Sequence, residues 1–268
     1  MWPTAPAVAR RMPAMRDQPP GSASRAAAEG GTLVVIPALN EAASIGDVIA
    51  AAHRVLPHAT VVVVDDGSTD DTAAIASAAG AEVLHLPFNC GIGTAVQAGL
   101  RFAVARRAAL VVRLDADGQH DAGDVAALVA AIEGGADYAI GSRFCGTRRA
   151  GYRSSFARRL GIRWFAAVLR LVGARAITDP TSGFFAASGR AATFLATHYA
   201  SDYPEVDAVV RLARCGFRLV EVPVAMHERA GGISSIGGTA AMIYMVKVTV
   251  SIVVGWLDTT RRRSRREA

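Results

Sequence analysis

Residues 110–121 read LVVRLDADGQHD. A short, mostly apolar run containing β-branched Val111 and Val112 has the composition of a buried strand, and it empties into Asp115, Asp117, Gln119, His120 and Asp121 within seven positions. Two carboxylates one residue apart, where the backbone leaves the sheet and Gly118 permits a sharp turn, can both face one hard cation. The stretch is read as a metal clamp for a phosphorylated ligand. The alternative is an acidic surface turn that binds nothing.

Outward from this stretch, short apolar runs alternate with helical ones. Strands are expected at 32–36 (TLVVI, ended by Pro37), 60–64 (TVVVV), 82–86 and 110–114, and helices at 41–56, 70–79 and 94–107, with Ser68 or Thr69 suited to cap the second helix. Strands apolar on both faces, in β-α-β-α order, require a parallel sheet covered by helices, so the fold class is α/β, Rossmann-like and doubly wound. In such sheets ligands bind outside the carboxyl ends of the strands. The polar clusters 37–41, 65–68, 89–94 and 115–119 all fall there. Gly91-Ile92-Gly93 lacks a third glycine and the Gly-Lys-Ser/Thr ending of a phosphate loop, so Gly93 is read as a close backbone approach to the ligand.

Beyond 121 the pattern predicts a helix at 122–132, a strand at 137–140, a helix at 156–171, a helix opened by Pro204 and a strand at 219–224. Residues 179–185, DPTSGFF, are read as a turn lining a pocket, or as a loop re-entering the core. Residues 229–235, RAGGISS, suit either a flap over a diphosphate or a flexible linker.

With 268 residues, 51% of them hydrophobic, the chain has ample material for a full core. Three separated cysteines, Cys90, Cys145 and Cys215, argue against a disulfide framework or a C-x-x-C zinc site and suit a reducing cytosol. The net charge of +6 belongs to the tails: RRRSRREA at the carboxyl end carries +4 and residues 1–31 carry +2, so the interior is formally neutral and no nucleic-acid groove is expected. Within that interior, Arg143, Arg148, Arg149, Arg153, Arg158, Arg159 and Arg163 share a 21-residue window without Asp or Glu, either a solvated helix face or a site for an anionic partner. Residues 1–31 are read as a disordered extension. Residues 239–257 are almost wholly apolar, broken only by Lys247, and are read as an interfacial or partner-packed helix ahead of a core helix or a true span. Trp256 followed by the arginine run favours a membrane surface.

Taken together, VVIPALNEAASI, VVVVDDGSTDDT, LDADGQH, GSRF, DPTSGF and EVPV followed by R-x-x-G-x-S resemble an inverting family 2 glycosyltransferase of the GT-A fold, most like the dolichyl- or polyprenyl-phosphate sugar synthases. The resemblance covers roughly 32–235, a single GT-A domain followed by the apolar segment (236–260) and the basic tail (261–268). It implies that Pro37, Asn40 and Glu41 line the nucleotide site and that Asp65 or Asp66 holds the base or ribose. It further implies that Asp115, Asp117 and Gln119 hold Mg²⁺ or Mn²⁺ on the sugar-nucleotide diphosphate. Arg143 would face the acceptor phosphate or leaving group, and Arg229 with Ser234 would close over the diphosphate. The implied donor is GDP-mannose or a UDP-sugar and the implied acceptor a polyprenyl phosphate. The implied setting is the cytoplasmic membrane face, with 239–257 against the membrane surface or a small membrane protein.

Breaking the anomeric C–O bond of a nucleotide sugar pushes charge onto a phosphate, which a divalent ion and an arginine neutralise. A lipid phosphate acceptor, with a second pKa of about 6, is ionised near pH 7 and needs no general base. A hydroxyl acceptor on a cell-envelope glycan does need one, and Asp179, Glu205 and Asp207 are the candidates. A sugar-nucleotide pyrophosphorylase would want a Gly-rich, Arg-containing loop where Pro37-Ala38-Leu39-Asn40-Glu41 stands. A non-catalytic sugar-nucleotide or partner-binding module is the remaining alternative.

Overall fold

In the computed structural model of the chain, residues 30–145, 177–202, 204–225 and 250 are described. Residues 1–29 of the amino-terminal extension, most of the arginine window, the expected helix 156–171, Arg229, Ser234 and all of 239–257 except Val250 lie outside the described residues.

The apolar runs become strands and the stretches between them helices. In chain order these are β1 (Thr32–Ala38), α1 (Ile45–Val55), β2 (Thr60–Asp65), α2 (Thr72–Ala78), β3 (Glu82–His85), α3 (Ile92–Ala105) and β4 (Leu110–Arg113). A 3₁₀ turn (Ala122–Asp124) leads into α4 (Val125–Glu133), then come β5 (Tyr138–Ser142), β6 (Phe185–Ser188), α5 (Gly189–His198), α6 (Pro204–Arg214) and β7 (Leu219–Pro223). Among the described residues the strands form one seven-stranded sheet in the order β3-β2-β1-β4-β6-β5-β7. β1 pairs in parallel with β2 and β4, and β6 runs antiparallel between β4 and β5.

The strand period of two sorts the core into two layers. Leu33, Val35, Val62, Val64 and Val111 pack under α3, α5 and α6, through residues such as Ala95, Leu100, Leu195 and Val209. Val34, Ile36, Val61, Val63 and Val112 pack under α1 and α4, through Ile45, Ile49, Val125 and Leu128. Each such aliphatic side chain contributes roughly 1.5–3 kcal/mol by leaving water. The double winding leaves the carboxyl edge of β1, β2, β3 and β4 open.

Two local expectations are corrected. Ser68 and Thr69 do not cap α2, whose N-cap is Asp71. They are used instead between loops: the backbone N–H of Asn40 donates to Ser68 Oγ at 2.9 Å, and Asn40 Oδ1 accepts from the Thr69 N–H at 2.8 Å. The helix expected at 122–132 begins as a 3₁₀ turn, because Asp121 accepts the Gly123 N–H and tightens the first turn. Residues 179–184 form a turn and loop that re-enters the core at Phe184 and Phe185, and Phe185–Ser188 continues it into the sheet as β6 and leads straight into α5.

Candidate active site

A cleft of about 510 Å³ opens at the carboxyl edge of the sheet. Pro37, Ala38, Leu39 and Glu41 line it after β1, Asp66 after β2, Asn89 and Ile92 after β3, and Arg113, Asp115, Ala116 and Asp117 at and after β4. Asn40, Asp65, Gly93 and Gln119 do not line it.

The walls are built by short-range backbone clamps. Asn40, at φ 54°, ties the turn after β1 to the DDGST turn after β2. The Asp66 carboxylate accepts the N–H groups of Cys90 at 2.7 Å and Gly91 at 2.9 Å, so it shapes the turn after β3 from inside the cleft wall. Asp65 accepts the Ser68 N–H at 3.0 Å and lies 3.3 Å from His85 Nδ1. At Gly93 the close approach is to the chain's own backbone: an added Cβ would stand 2.4 Å from the carbonyl oxygens of Ala200 and Ser201. The missing side chain there seats α3 against the α5–α6 connection.

The acidic turn after β4 forms at Gly118, where φ is +69°. Asp117 Oδ1 accepts the Gln119 N–H at 3.1 Å. Asp115 is held from two sides, Oδ1 accepting from Arg113 Nη2 at 3.0 Å and Oδ2 from His120 Nε2 at 3.0 Å. The His120 ring packs against Phe184, tilted by 31° with centroids 4.7 Å apart. Arg113 is buried, and its Nη1 donates to Glu205 Oε1 at 2.7 Å and to the Tyr199 hydroxyl at 3.2 Å. Burial opposes the charge on Arg113, but Asp115, Tyr199 and Glu205 more than offset it and hold the guanidinium firmly protonated. Burial likewise opposes ionisation of Asp115, yet Arg113 and His120 beside it hold the carboxyl well below the usual carboxylate range.

A group ionised to lower pH in the folded than in the unfolded chain contributes stability that is complete above its unfolded pKa, about 3.9, and drains away as the pH falls below it. Asp115→Asn is therefore expected to cost stability at neutral pH and to lose that deficit in acid. Urea midpoints of the two proteins should converge as the pH drops below about 4. A constant gap down to pH 3 contradicts the assignment.

A second polar cluster lies on the segment leading into β6. Asp179 is fully buried and takes two parallel bonds from Arg143, Nε to Oδ2 and Nη2 to Oδ1, both at 2.7 Å. Arg143 Nη2 also donates to Thr181 Oγ1 at 3.1 Å. Glu221 of β7 accepts the N–H groups of Thr178 and Asp179 at 2.7 and 2.6 Å, fixing the start of DPTSGF. The same segment reaches the cleft at Gly183, where an added Cβ would meet Arg113 Nη2 at 2.8 Å and Asp115 Oδ2 at 2.9 Å. Arg113, buried and bonded to Asp115, Glu205 and Tyr199, has little room to retreat. Gly183→Ala is expected to lower turnover by roughly 10- to 100-fold through misplacement of Asp115, at about 1–3 kcal/mol of stability. Steady-state rates beside a melting curve check this, and a wild-type rate contradicts it.

Four features escape a reading of local pattern. Arg113 and Tyr199 are buried polar groups, Glu221 is half-buried on β7, and His120 sits in the acidic turn without a role assigned to it. The usable signal was Arg113 itself, a cation inside an otherwise apolar strand, which must find buried partners.

Asp115 and Asp117 offer hard oxygen donors on one cleft wall, a donor set that suits Mg²⁺ or Mn²⁺. Among the described residues no group of three or more His, Cys, Asp or Glu side chains encloses a metal position. Two carboxylates are the usual protein share for an ion that also takes phosphate and water ligands.

Residues 33–186 match the family described as Glycosyl transferase family 2. The chain belongs to that family. This glycosyltransferase is 31% identical over 241 residues to the polyprenol monophosphomannose synthase of Mycolicibacterium smegmatis, spanning 86% of this chain and 90% of that one. It is 33% identical over 227 residues to the undecaprenyl-phosphate mannosyltransferase of Micrococcus luteus, spanning 81% and 92%. Its fold is shared with glucosyl-3-phosphoglycerate synthase from Mycobacterium tuberculosis, solved in complex with Mn²⁺, UDP and glucosyl-3-phosphoglycerate, at a TM-score of 0.65 and 24% identity over 91% of this chain and 85% of that one. The expected GT-A architecture is thus the one observed. Among the described residues of the glycosyltransferase, no helix is long and apolar enough to cross a membrane.

Proposed function

We propose that this glycosyltransferase moves a sugar, with inversion at the anomeric carbon, from GDP-mannose or a UDP-sugar to a polyprenyl phosphate, using Mg²⁺ or Mn²⁺. The observation that carries the reading is the pairing of the candidate carboxylates. A hydroxyl acceptor needs a base, but Asp179 is bound to Arg143, Glu205 to Arg113 and Asp207 to Arg211 at 2.6 Å. An acceptor that arrives already ionised fits a site whose three candidate bases are so paired. The mannosyltransferase names of the two polyprenyl-phosphate relatives favour mannose as the sugar.

In this reading the nucleotide lies between the turns after β1, β2 and β3, with Pro37, Glu41 and Asp66 on its walls. Asp115 and Asp117 would hold the divalent ion, which would supply charge neutralisation for the departing diphosphate. An acceptor phosphate oxygen attacks the anomeric carbon as the bond to the diphosphate breaks, and the electron pair leaves with the nucleoside diphosphate. Arg143, oriented by Asp179 and Thr181, supplies positive charge on the acceptor side, and Arg229 with Ser234 closes over the diphosphate. Residues 239–257 and the basic tail bring the domain to a lipid surface at the cytoplasmic face, directly or through a small membrane protein.

The test is transfer from a panel of radiolabelled UDP- and GDP-sugars into organic-extractable lipid, using membranes with Mn²⁺. Metal-dependent, mild-acid-labile label in the lipid phase is expected. Label found only in water-soluble or polymeric glycan overturns the reading and returns attention to Asp179 and Glu205 as bases.

A further inference from the structure

Arg113 is the last residue of β4, and its side chain is 4% exposed. Its fork points in two directions. One arm reaches Asp115 in the acidic turn, and the other reaches Glu205 in the first turn of α6 and Tyr199 just past α5. The guanidinium carbon lies 6.0 Å from the centroid of the Phe185 ring, and the Gly183 backbone closes a further side. One buried cation thus joins the floor of the cleft to two helices that do not line it.

Stability is a poor explanation for this arrangement, since buried ion pairs contribute little that well-packed apolar side chains of similar volume would not. Its specific effect is on Asp115. A carboxylate has about four lone-pair positions, and two of those on Asp115 are taken, one by Arg113 and one by His120. Gripped at both oxygens, the carboxylate cannot rotate about its terminal torsion. Its remaining lone pairs are thereby held in fixed directions.

We propose that Arg113 is a positioning residue that, anchored by Glu205 and Tyr199, fixes the Asp115 carboxylate in the orientation that receives the divalent ion. Glu205 is then the counter-ion of Arg113 and takes no proton from the acceptor. A lysine keeps the charge but has no planar fork, so it cannot hold two carboxylates in fixed directions at once. The proposal rests on the reading of Asp115 and Asp117 as ligands of a divalent ion, and the experiment separates the two.

Mn²⁺ affinity is measured on the full chain from the electron paramagnetic resonance signal of free Mn²⁺, in the presence of GDP or UDP. Wild type is compared with Arg113→Met, Arg113→Lys, Glu205→Gln and Asp115→Asn, each checked for folding by circular dichroism. Arg113→Met is expected to weaken Mn²⁺ binding at least tenfold, Arg113→Lys to recover part of the loss, and Glu205→Gln to weaken it less than Arg113→Met. In turnover, kcat should fall in the same order with the KM for the lipid acceptor unchanged. Wild-type Mn²⁺ affinity in Arg113→Met, with binding lost in Asp115→Asn, overturns the positioning role and leaves the metal reading standing. Wild-type affinity in Asp115→Asn overturns the metal reading itself. Should Arg113→Met fail to fold, Arg113→Lys decides, and wild-type affinity in that folded variant overturns the proposal.

Discussion

Asp117→Asn is expected to lower sugar transfer by about 10²- to 10³-fold, the range for removing one group that stabilises charge developing in a transition state. The change keeps the side chain's size and removes only its charge. Asp117 lines the cleft, and its oxygen accepts a backbone N–H from two residues along the same turn, a bond that the asparagine carbonyl reproduces. The melting temperature should therefore stay within about 2 °C of wild type, a shift worth under about 1 kcal/mol for a domain of this size. Raising the Mn²⁺ concentration should recover part of the rate, because the lost carboxylate is read as an ion ligand. Full activity at low Mn²⁺ would remove Asp117 from the site.

Asp179→Asn should behave in the opposite way, with stability lost first. The carboxylate is fully buried, both oxygens are bonded to Arg143, and Oδ2 also accepts the Arg143 N–H at 3.1 Å. Removing its charge leaves a guanidinium with a side-chain exposure of 13% facing a neutral amide. Breaking a buried pair in this way costs about 3–5 kcal/mol, or roughly 10 °C in melting temperature for a domain of this size. Activity should fall with it, because Arg143 loses the partner that orients it. A variant that melts like wild type yet transfers no sugar would mean that Asp179 acts as a base. That result would favour a hydroxyl acceptor.

The first half of the fold was legible because each layer of the argument agreed with the next. TLVVI, TVVVV and LVVR are apolar at every position except the terminal Thr32, Thr60 and Arg113, a pattern that suits central parallel strands, and the polar residues that follow each one fall at the same sheet edge. β6 was not legible. Phe185–Ser188 is four residues long with two alanines, and its place between β4 and β5 depends on pairing with Leu110–Arg113, far back in the chain. The acidic pair 115/117 could be read from its spacing, whereas the partners of Asp115 could not. Glu205 lies 92 residues beyond Arg113, and nothing local marks the two as a pair. At Gly93 the sequence showed a glycine beside the cleft but not the packing against Ala200 and Ser201 that requires the missing side chain, because those residues lie far along the chain.

The measurement that bears most directly on the account compares two acceptors with the purified protein, a short polyprenyl phosphate and the matching polyprenol, given the same labelled sugar nucleotide and Mn²⁺. The account predicts transfer to the phosphate alone, in a product whose sugar has the inverted anomeric configuration and is released by mild acid. Transfer to the polyprenol at a comparable rate would require a base that the ion pairs of Asp179 and Glu205 withhold, and would contradict the account.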